Sequence, residues 1–288
     1  MKIRNEPLTV GSLPAPPRES WASAPAAVRF SGVTVEFALA NGGVYAAVSE
    51  TDLAVGSHEF VAIVGPTGCG KTTLLNVAAG LLMPATGFTT IRGQPLAGLN
   101  RQAGYLFQQD AVMPWKTARD NIAIPLQIAG VPRSEALARA QAWLQRVGLA
   151  AFADRYPHQL SGGQRKRIGL AQVLIRDPKI LLMDEPFGPL DAQTRQIMGN
   201  LLLELWAGEA KAVLFVTHDL EEAIALADRV VIMSAGPRAM LIGEHTIDLG
   251  RPRDVSEVRL LPRFHELHQA IWGQLRAEVL KAYGGAGQ

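Results

Sequence analysis

A glycine-rich segment that ends in lysine and threonine runs from Gly65 to Thr72 and fits the pattern G-x-x-x-x-G-K-[ST]. Its glycines let the backbone curl so that N–H groups point at phosphate oxygens. Lys71 can then reach the β and γ phosphates of a nucleotide, and the Thr72 hydroxyl can bind Mg²⁺. Kinases, GTPases and many ATPases share this pattern. The predicted nucleotide-binding residues here are Gly65, Pro66, Thr67, Gly68, Cys69, Gly70, Lys71, Thr72 and Thr73.

Two adjacent carboxylates, Asp184 and Glu185, follow the apolar residues 180–183. A strand that ends beside a phosphate-binding loop is where Mg²⁺ needs a carboxylate ligand, and Asp184 suits that role. Glu185 lies one residue further on, where it can polarise an attacking water as a general base. The alternative is a solvated strand end with two surface acids, and the phosphate-loop pattern in the same chain weighs against it.

A second glycine-rich segment, Leu160-Ser161-Gly162-Gly163-Gln164, precedes residues rich in Arg and Ala. Ser161 can cap a helix that begins there, and the two glycines allow a close backbone approach. This is a second helix start suited to binding an anion. Two such helix starts with only one complete nucleotide site suggest a site that is shared between two chains.

Hydrophobic patterning predicts the elements that must position these residues. Residues 60–64 are wholly apolar and lead directly into Gly65, as expected of a strand buried on both faces of a sheet. Alternation or apolar runs predict the other strands, and apolar residues at helical spacing predict the helices. The predicted strands cover 33–37, 46–53, 60–64, 102–107, 180–183, 212–216 and 230–233, and the predicted helices cover 71–82, most of 117–176, 192–206 and 263–282.

Strands that alternate with helices imply a parallel sheet covered by helices, an α/β core. The long helical segment interrupts this alternation, which predicts a helical subdomain inserted at about 109–176. Residues 1–26 are rich in Pro, Ala and Ser without a hydrophobic period, so we expect a flexible tail. Residues 27–250 are predicted to form the main domain, and 251–288 a C-terminal helical extension.

Composition narrows the class of protein. Hydrophobic residues make up 48% of the 288-residue chain, which indicates a folded core. The formal charge of +2 is far from the concentrated positive field of a dedicated nucleic-acid binder. The single cysteine, Cys69, excludes an intrachain disulfide, fits a reducing compartment and is interpreted as a small space-filling residue. Residues 1–17 lack a continuous apolar stretch, so we expect no secretory signal and a membrane role only through a partner.

Six motifs occur in the order found in the ABC ATPase family, and the resemblance extends from about Val28 to the C-terminal helix. Any one of them could be coincidence, but all six in order make coincidence negligible. The segments resemble the Walker A loop (65–72), the Q-loop (107–108), the signature (160–164), the end of Walker B (183–185), the D-loop (190–191) and the switch loop (216–219).

The resemblance implies a P-loop NTPase core with a parallel sheet, an N-terminal antiparallel β subdomain and an inserted helical subdomain. It also implies that two chains, head to tail, sandwich two ATP molecules and separate after hydrolysis. By the same resemblance Phe37 stacks on adenine, Glu185 is the catalytic glutamate and His218 contacts the γ-phosphate. The implied catalytic residues are Glu185, His218 and Gln108, and the implied Mg²⁺ ligands are Thr72, Gln108 and Asp184. Gln108 also senses the transporter, Leu160 to Gln164 face the partner's ATP, and Asp191 belongs to the D-loop.

ABC ATPases power transporters, but others act in DNA repair, chromosome structure or translation. The single motif set, the lack of a heptad insertion and the lack of cysteine clusters argue against those other roles. The alternative kept open is a soluble ABC ATPase that acts on nucleic acid or ribosomes. Residues 108–160 have a length typical of transporter subunits, which implies a surface that grips a coupling helix of a permease. Trp115 in this segment is as compatible with a core position as with an exposed one.

The finer resemblance is to importers for nitrate, sulfonates, taurine and similar small solutes, and it rests on residues 108–115, 183–191 and 249–253. It implies a second copy of the chain, a transmembrane permease and, indirectly, an extracytoplasmic solute-binding protein as partners, with no nucleic acid. The implied location is peripheral, on the cytoplasmic face of the cell (inner) membrane. Pro189 replaces a usually small residue before the D-loop, and its effect there is left open, as is the solute.

Overall fold

The computed structural model describes residues 26–207 and 211–284. The tail predicted for 1–26 lies outside the described residues except for Ala26, as do residues 285–288 of the predicted extension. In chain order the elements are β1 (Val28–Ala38), β2 (Val44–Val55), β3 (Phe60–Val64), α1 (Lys71–Ala79), β4 (Thr86–Ile91), β5 (Gln94–Pro95), β6 (Ala103–Leu106), α2 (Ala118–Ile128), α3 (Arg133–Arg146), α4 (Gly162–Leu174), β7 (Ile180–Asp184), α5 (Ala192–Ala207), β8 (Ala212–Val216), α6 (Leu220–Leu226), β9 (Arg229–Met233), β10 (Leu241–Thr246), α7 (Val255–Val258) and α8 (Pro262–Gly284).

A six-stranded sheet in the order β10-β9-β3-β8-β7-β6 forms the centre of the fold. Its strands are parallel except β10, which runs antiparallel to β9. Every residue of β3, β7 and β8 is buried, as the unbroken apolar runs predicted. Because β3 and β7 are parallel and separated only by β8, the phosphate loop and the acidic pair emerge at the same edge of the sheet.

A second, antiparallel sheet in the order β2-β1-β4-β5 packs beside the first. Patterning predicted β1 and β2 but missed β4, β5 and β10. Strand β4 reads Thr-Gly-Phe-Thr-Thr-Ile, and only Thr89 and Ile91 in it are buried. Its hydrogen bonds to β1 rather than an apolar face make it a strand, so the sequence carries little signal for it.

Helices α2, α3 and α4 lie between β6 and β7 in the chain, which confirms the expected interruption of the α/β alternation. Thr117 caps α2 by accepting a hydrogen bond from the backbone N–H of Asp120. In α3, Ala140 and Leu144 are fully buried, while Leu137 and Trp143 of the same predicted apolar face are partly buried. The three helices bury their apolar residues in one cluster with the faces of the sheet and of α5, α6 and α8.

Helix α1 ends at Ala79, so the prediction that it continues to residue 82 was wrong. Gly80 takes a left-handed conformation with φ of 70° and stops the helix. A Cβ at Gly80 would lie 1.9 Å from the carbonyl oxygen of Gly98, which only glycine tolerates. Apolar periodicity continues past Ala79 into Leu81 and Leu82, and this made the predicted helix too long.

Helix α8 packs on the core through Phe264, Leu267, Ile271 and Leu275, which confirms the apolar face predicted for it. Residues 249–253, which precede α8 in the chain, are hydrogen-bonded to the end of α6. The Arg253 guanidinium is buried and donates to the carbonyl oxygens of Ala227, at 2.7 Å, and Leu249, at 2.9 Å. Among the described residues, no helix is both long and apolar enough to cross a membrane.

Candidate active site

The phosphate loop joins β3 to α1, and close packing around it requires its glycines. Gly68 and Gly70 take positive φ values of 78° and 104°, so the backbone curls as predicted. A Cβ at Gly65 would lie 2.8 Å from the Met233 carbonyl oxygen, and one at Gly70 would lie 2.8 Å from Val48 Cγ2. The loop therefore delivers its backbone N–H groups to the N-terminus of α1, which favours an anion.

Lys71 begins α1 and is buried. Its Nζ donates to the carbonyl oxygens of Gly65 and Pro66, each at 2.9 Å, so the ammonium group lies directly under the loop. Cys69 is buried in the same loop, and burial raises the pKa of its thiol, which supports its interpretation as a space-filling residue. Thr67 and Gly68 are exposed at the turn of the loop.

Two of the three Mg²⁺ ligands expected from the sequence, Thr72 and Asp184, are in contact. Thr72 Oγ1 donates to Asp184 Oδ1 at 2.9 Å, across the junction of α1 and β7. Burial raises the pKa of Asp184, the hydrogen bond from Thr72 lowers it, and the charge of Glu185 raises it further. A hydroxyl beside a buried carboxylate suits Mg²⁺, whose charge would offset the cost of burying the anion.

Glu185 is the centre of a three-residue contact. Its Oε2 lies 2.9 Å from His218 Nδ1 and accepts a hydrogen bond from Gln108 Nε2 at 3.5 Å. The structure thus brings the three residues assigned to catalysis to one oxygen. Glu185 has a φ of 41°, in the left-handed region that residues other than glycine rarely adopt. Such strain costs free energy and is found mainly at functional sites.

Glu222, which the sequence did not reveal as a site residue, stabilises the loop that carries His218. Thr217 Oγ1 donates to Glu222 Oε2 at 2.5 Å and accepts from the Asp219 backbone N–H at 3.0 Å. Burial raises the pKa of Glu222 to about 7, although the hydrogen bond from Thr217 lowers it. Glu222 is the second of two adjacent acids in the first turn of α6, a common position for acidic residues, so the sequence carries little signal for its role.

Arg195 on α5 links this loop to the D-loop of the same chain, and it too was missed. Its guanidinium donates to Asp219 Oδ2 at 2.6 Å and to the Leu190 carbonyl oxygen at 3.2 Å. Asp191 accepts from the backbone N–H and the hydroxyl of Thr194, at 2.9 and 2.7 Å, and these bonds lower its pKa. Asp191 therefore fixes the start of α5.

Ser161 caps α4 as predicted, within a reciprocal capping box: its Oγ accepts from the Gln164 N–H, and Gln164 Oε1 accepts from the Ser161 N–H. A Cβ at Gly163 would lie 2.6 Å from Thr194 Cγ2, so this glycine allows α4 to pack on the D-loop helix. Leu160 is buried beneath the cap, and Gly162 begins the helix.

Two basic residues that follow the signature hold the Q-loop. Lys166 Nζ donates to the Gln108 carbonyl oxygen at 2.6 Å and lies 3.2 Å from Asp110 Oδ1. Arg165 Nε donates to Asp110 Oδ2 at 2.9 Å. The sequence did not predict these hydrogen bonds and ion pairs between α4 and the segment after Gln108. Its only signal was an acid two residues after Gln108 and a basic pair after Gln164.

Phe37 lies on β1 opposite Tyr45 on β2, and both rings are partly exposed. Opposed residues of antiparallel strands present their side chains on the same face. A Cβ at Gly236 would lie 3.6 Å from the Tyr45 hydroxyl and 3.7 Å from the Gly68 carbonyl oxygen, so Gly236 packs between the Tyr45 ring and the phosphate loop. Sequence reasoning had named Phe37 and missed Tyr45.

Comparison with known proteins places the chain in a family. The family model described as ABC transporter matches residues 48–188. An uncharacterized ABC transporter ATP-binding protein of Methanocaldococcus jannaschii is 44% identical over 243 residues, which cover 84% of this chain and 89% of that protein. The taurine import ATP-binding protein TauB of Pseudomonas savastanoi pv. phaseolicola is 43% identical over 229 residues, which cover 78% of this chain and 87% of that protein.

Among solved structures, a dimeric ATP-binding cassette in a post-hydrolysis state with ADP and Pi has a TM-score of 0.68 and 30% identity, and the match covers 77% of this chain and all of that one. The resemblance seen in the sequence and the predicted P-loop NTPase fold are both confirmed. The chain belongs to the ATP-binding subunits of ABC transporters and is an ATPase of that family.

Proposed function

We propose that this chain powers the import of a small solute of the nitrate, sulfonate or taurine class through a separate membrane permease. The contact of Gln108, Glu185 and His218 beside the phosphate loop carries the hydrolytic part of the proposal. Identities of about 40% to taurine import ATP-binding proteins support the solute class. The proposal divides the chain into an ATPase domain at 27–250, with a helical subdomain at about 109–176, and a C-terminal extension at 251–288.

In the proposed hydrolysis Glu185 orients a water and accepts its proton as the water oxygen bonds to the γ-phosphorus. The bond between the γ-phosphorus and the bridging oxygen breaks, and ADP leaves with the electron pair. Lys71 and the loop N–H groups hold the phosphates, and His218 stabilises the transferring phosphoryl group. Phe37 supports the adenine, and Tyr45 opposite it on the same face of the sheet extends the aromatic surface.

The ligands proposed for Mg²⁺ are Thr72, Asp184 and Gln108. When bound, Mg²⁺ would neutralise charge on the phosphate oxygens. The contact between Thr72 and Asp184 supports the first two ligands. Gln108 contacts Glu185 instead, and a rotation of its amide would be needed before its oxygen could face the metal.

A second copy of the chain, placed head to tail, is proposed to complete each site with Leu160 to Gln164. In this arrangement the Ser161 hydroxyl and the N–H of Gly163 face the γ-phosphate bound by the partner. The helix start at Gly162 and the dimeric state of the similar cassette structures support the arrangement. Asp191 and Arg195 then connect the dimer face with the loop of His218 in each chain.

A groove of about 220 Å³ beside the Q-loop is the surface proposed to receive a coupling helix of the permease. It lies between residues 105–111 and α4, and the side chains of Tyr105 and Phe107 stack on its wall with ring centroids 4.3 Å apart. The sequence did not decide whether Trp115, a few residues after the Q-loop, lies in the core or on the surface. Its side chain is 72% exposed. Lys166 and Asp110 line the groove and bind the Q-loop, so an occupant could move Gln108.

The proposed location is the cytoplasmic face of the cell membrane, held there by the permease, with an extracytoplasmic solute-binding protein as an indirect partner. Affinity capture of the tagged chain from detergent-solubilised cells tests this. A polytopic membrane protein that co-purifies in proportion to the chain is the expected result. Recovery of ribosomes, DNA or soluble factors alone would overturn the transport role and leave the ATPase chemistry intact.

A further inference from the structure

The loop between β9 and β10, residues 234–240, forms a wall against the outer side of the phosphate loop. Its Gly236 packs beside the backbone of the phosphate loop: a Cβ there would lie 3.7 Å from the Gly68 carbonyl oxygen and 3.8 Å from Cys69 Cα. The strand residue before it, Met233, presses its carbonyl oxygen against Gly65. Movement of the β9–β10 loop would therefore be felt at Gly68 and Cys69, next to the contact that Met233 makes with Gly65.

Backbone hydrogen bonds fasten the far side of this loop to β2. The N–H of Arg238 donates to the Ala46 carbonyl oxygen at 2.7 Å, and the N–H of Ser49 donates to the Ala239 carbonyl oxygen at 2.9 Å. These bonds hold residues 238–239 to β2, whereas Gly236 lies beside the phosphate loop. The N–H of Ala235 donates instead to a side chain of α8.

The acceptor of this hydrogen bond is Glu278, near the end of α8. Its Oε2 accepts from the Ala235 N–H at 2.9 Å, and its Oε1 lies 2.5 Å from Lys281 Nζ. The side chain is only 9% exposed, so the hydrogen bond is shielded from water. Helix α8 is itself anchored by Phe264, Leu267, Ile271 and Leu275, which makes Glu278 a fixed point rather than a mobile one.

We propose that Glu278 is a positioning residue for nucleotide binding: it holds the β9–β10 loop against the phosphate loop, so the C-terminal helix sets the affinity of the chain for ATP. The inference rests on the proposed nucleotide site at residues 65–73. In the proposed role Glu278 makes no contact with the nucleotide. It acts through Ala235 and Gly236, and its loss would loosen the loop without removing any group that contacts phosphate.

Glu278→Ala is the direct test, with Glu278→Gln as the variant that keeps an acceptor oxygen. Glu266→Ala, on the same helix but at an exposed residue that pairs with Arg263, is the matched control. We expect Glu278→Ala to raise the Kd and KM for ATP about three- to tenfold, because one shielded hydrogen bond is lost, while kcat stays near the wild-type value. Glu278→Gln and Glu266→Ala should bind ATP as the wild type does.

Cys69 supplies a second readout that does not depend on ATP. It is the single cysteine of the chain and lies buried under Gly236, so its alkylation by iodoacetamide in folded protein reports opening of the loop. Faster alkylation of Glu278→Ala, together with a raised Kd, is the expected result. Should that variant fold poorly, Glu278→Asp keeps the charge, cannot span the distance to Ala235 and should show the same two changes.

An unchanged Kd in folded Glu278→Ala would overturn the proposal, whether or not Cys69 became more reactive. Equal losses in Glu266→Ala would also overturn it, because they would indicate general destabilisation. Failure of the nucleotide site itself is separable: Lys71→Ala would then bind ATP normally, while Cys69 reactivity would still respond to Glu278.

Discussion

The imidazole Nδ1 of His218 lies 2.9 Å from Oε2 of Glu185, so the loop after β8 and the end of β7 meet at one carboxylate oxygen. Parallel strands bring these two ends to the same edge of the sheet, beside the phosphate loop. Gln108 approaches the same oxygen from the Q-loop. Because two side chains contact it, the Glu185 carboxylate is held in one orientation. A change at any of the three residues should therefore act on the orientation of Glu185.

Replacing Glu185 by Gln tests the role proposed for its carboxylate. The amide keeps the shape and can still contact His218, but it cannot accept a proton from water. We expect the rate of phosphate release to fall by about a hundred- to ten-thousandfold, while ATP binding persists. Size-exclusion chromatography with ATP should then show an accumulated dimer. Turnover at the wild-type rate would remove Glu185 from the catalytic role.

Replacing Lys71 by Ala tests the phosphate loop. The variant loses the ammonium group that lies under the loop, so we expect the Kd for ATP to rise by about ten- to a hundredfold. Lys179→Ala, in which an exposed lysine paired with Asp177 is removed, should leave the Kd unchanged. Isothermal titration of both variants makes the comparison. Wild-type affinity in Lys71→Ala would show that nucleotide binds elsewhere.

Local patterns predicted those parts of the site that one segment builds by itself. The phosphate loop follows a strand whose five residues are all apolar, and Ser161 caps α4 through a residue only three positions away. Those features depend on spacing within a few residues, which sequence displays directly. Helix α1 shows the limit of the method, because Gly80 stops the helix in a left-handed conformation although the apolar period continues into Leu81 and Leu82.

Three of the missed residues act across long separations in the chain. Lys166 reaches Gln108 and Asp110, Arg195 reaches Asp219, and Glu278 reaches Ala235. Each is an ordinary charged residue on a helix, and nothing local distinguishes it from a solvated one. Only the packing of α4 on the Q-loop, of α5 on α6 and of α8 beside β9 decides which partner it meets.

Arg253 tests whether the segment 249–253 is a structural clasp. Its buried guanidinium donates to carbonyl oxygens near the end of α6, and Arg253→Met would leave them unsatisfied. We expect the free energy of unfolding to fall by roughly 3 kcal/mol in urea denaturation. Arg263→Met removes an exposed arginine with two surface ion pairs and should change stability little. Equal stabilities would mean that the segment does not hold α6.

Glu222 makes stability depend on pH in a direction that its environment fixes. Its pKa is raised from 4.5 to about 7, chiefly by burial, with Asp219 adding to the rise while Arg195 and Arg259 oppose it. A raised carboxyl pKa means that the folded state binds the proton more tightly than the unfolded state. Stability contributed by the protonated form is therefore present below pH 4.5 and lost as the pH rises toward about 7.

Glu222→Gln isolates this contribution, because the amide stays neutral at every pH and can still meet Thr217. Each unit of pKa shift corresponds to about 1.4 kcal/mol, so the variant should gain up to roughly 3 kcal/mol over the wild type above pH 7. The gain should vanish well below pH 4.5, where the wild-type carboxyl is protonated in both the folded and the unfolded state. Urea denaturation at several pH values measures the difference. A constant difference across that range would show that Glu222 does not titrate there, and the hold of Glu222 on the loop of His218 would then be independent of pH.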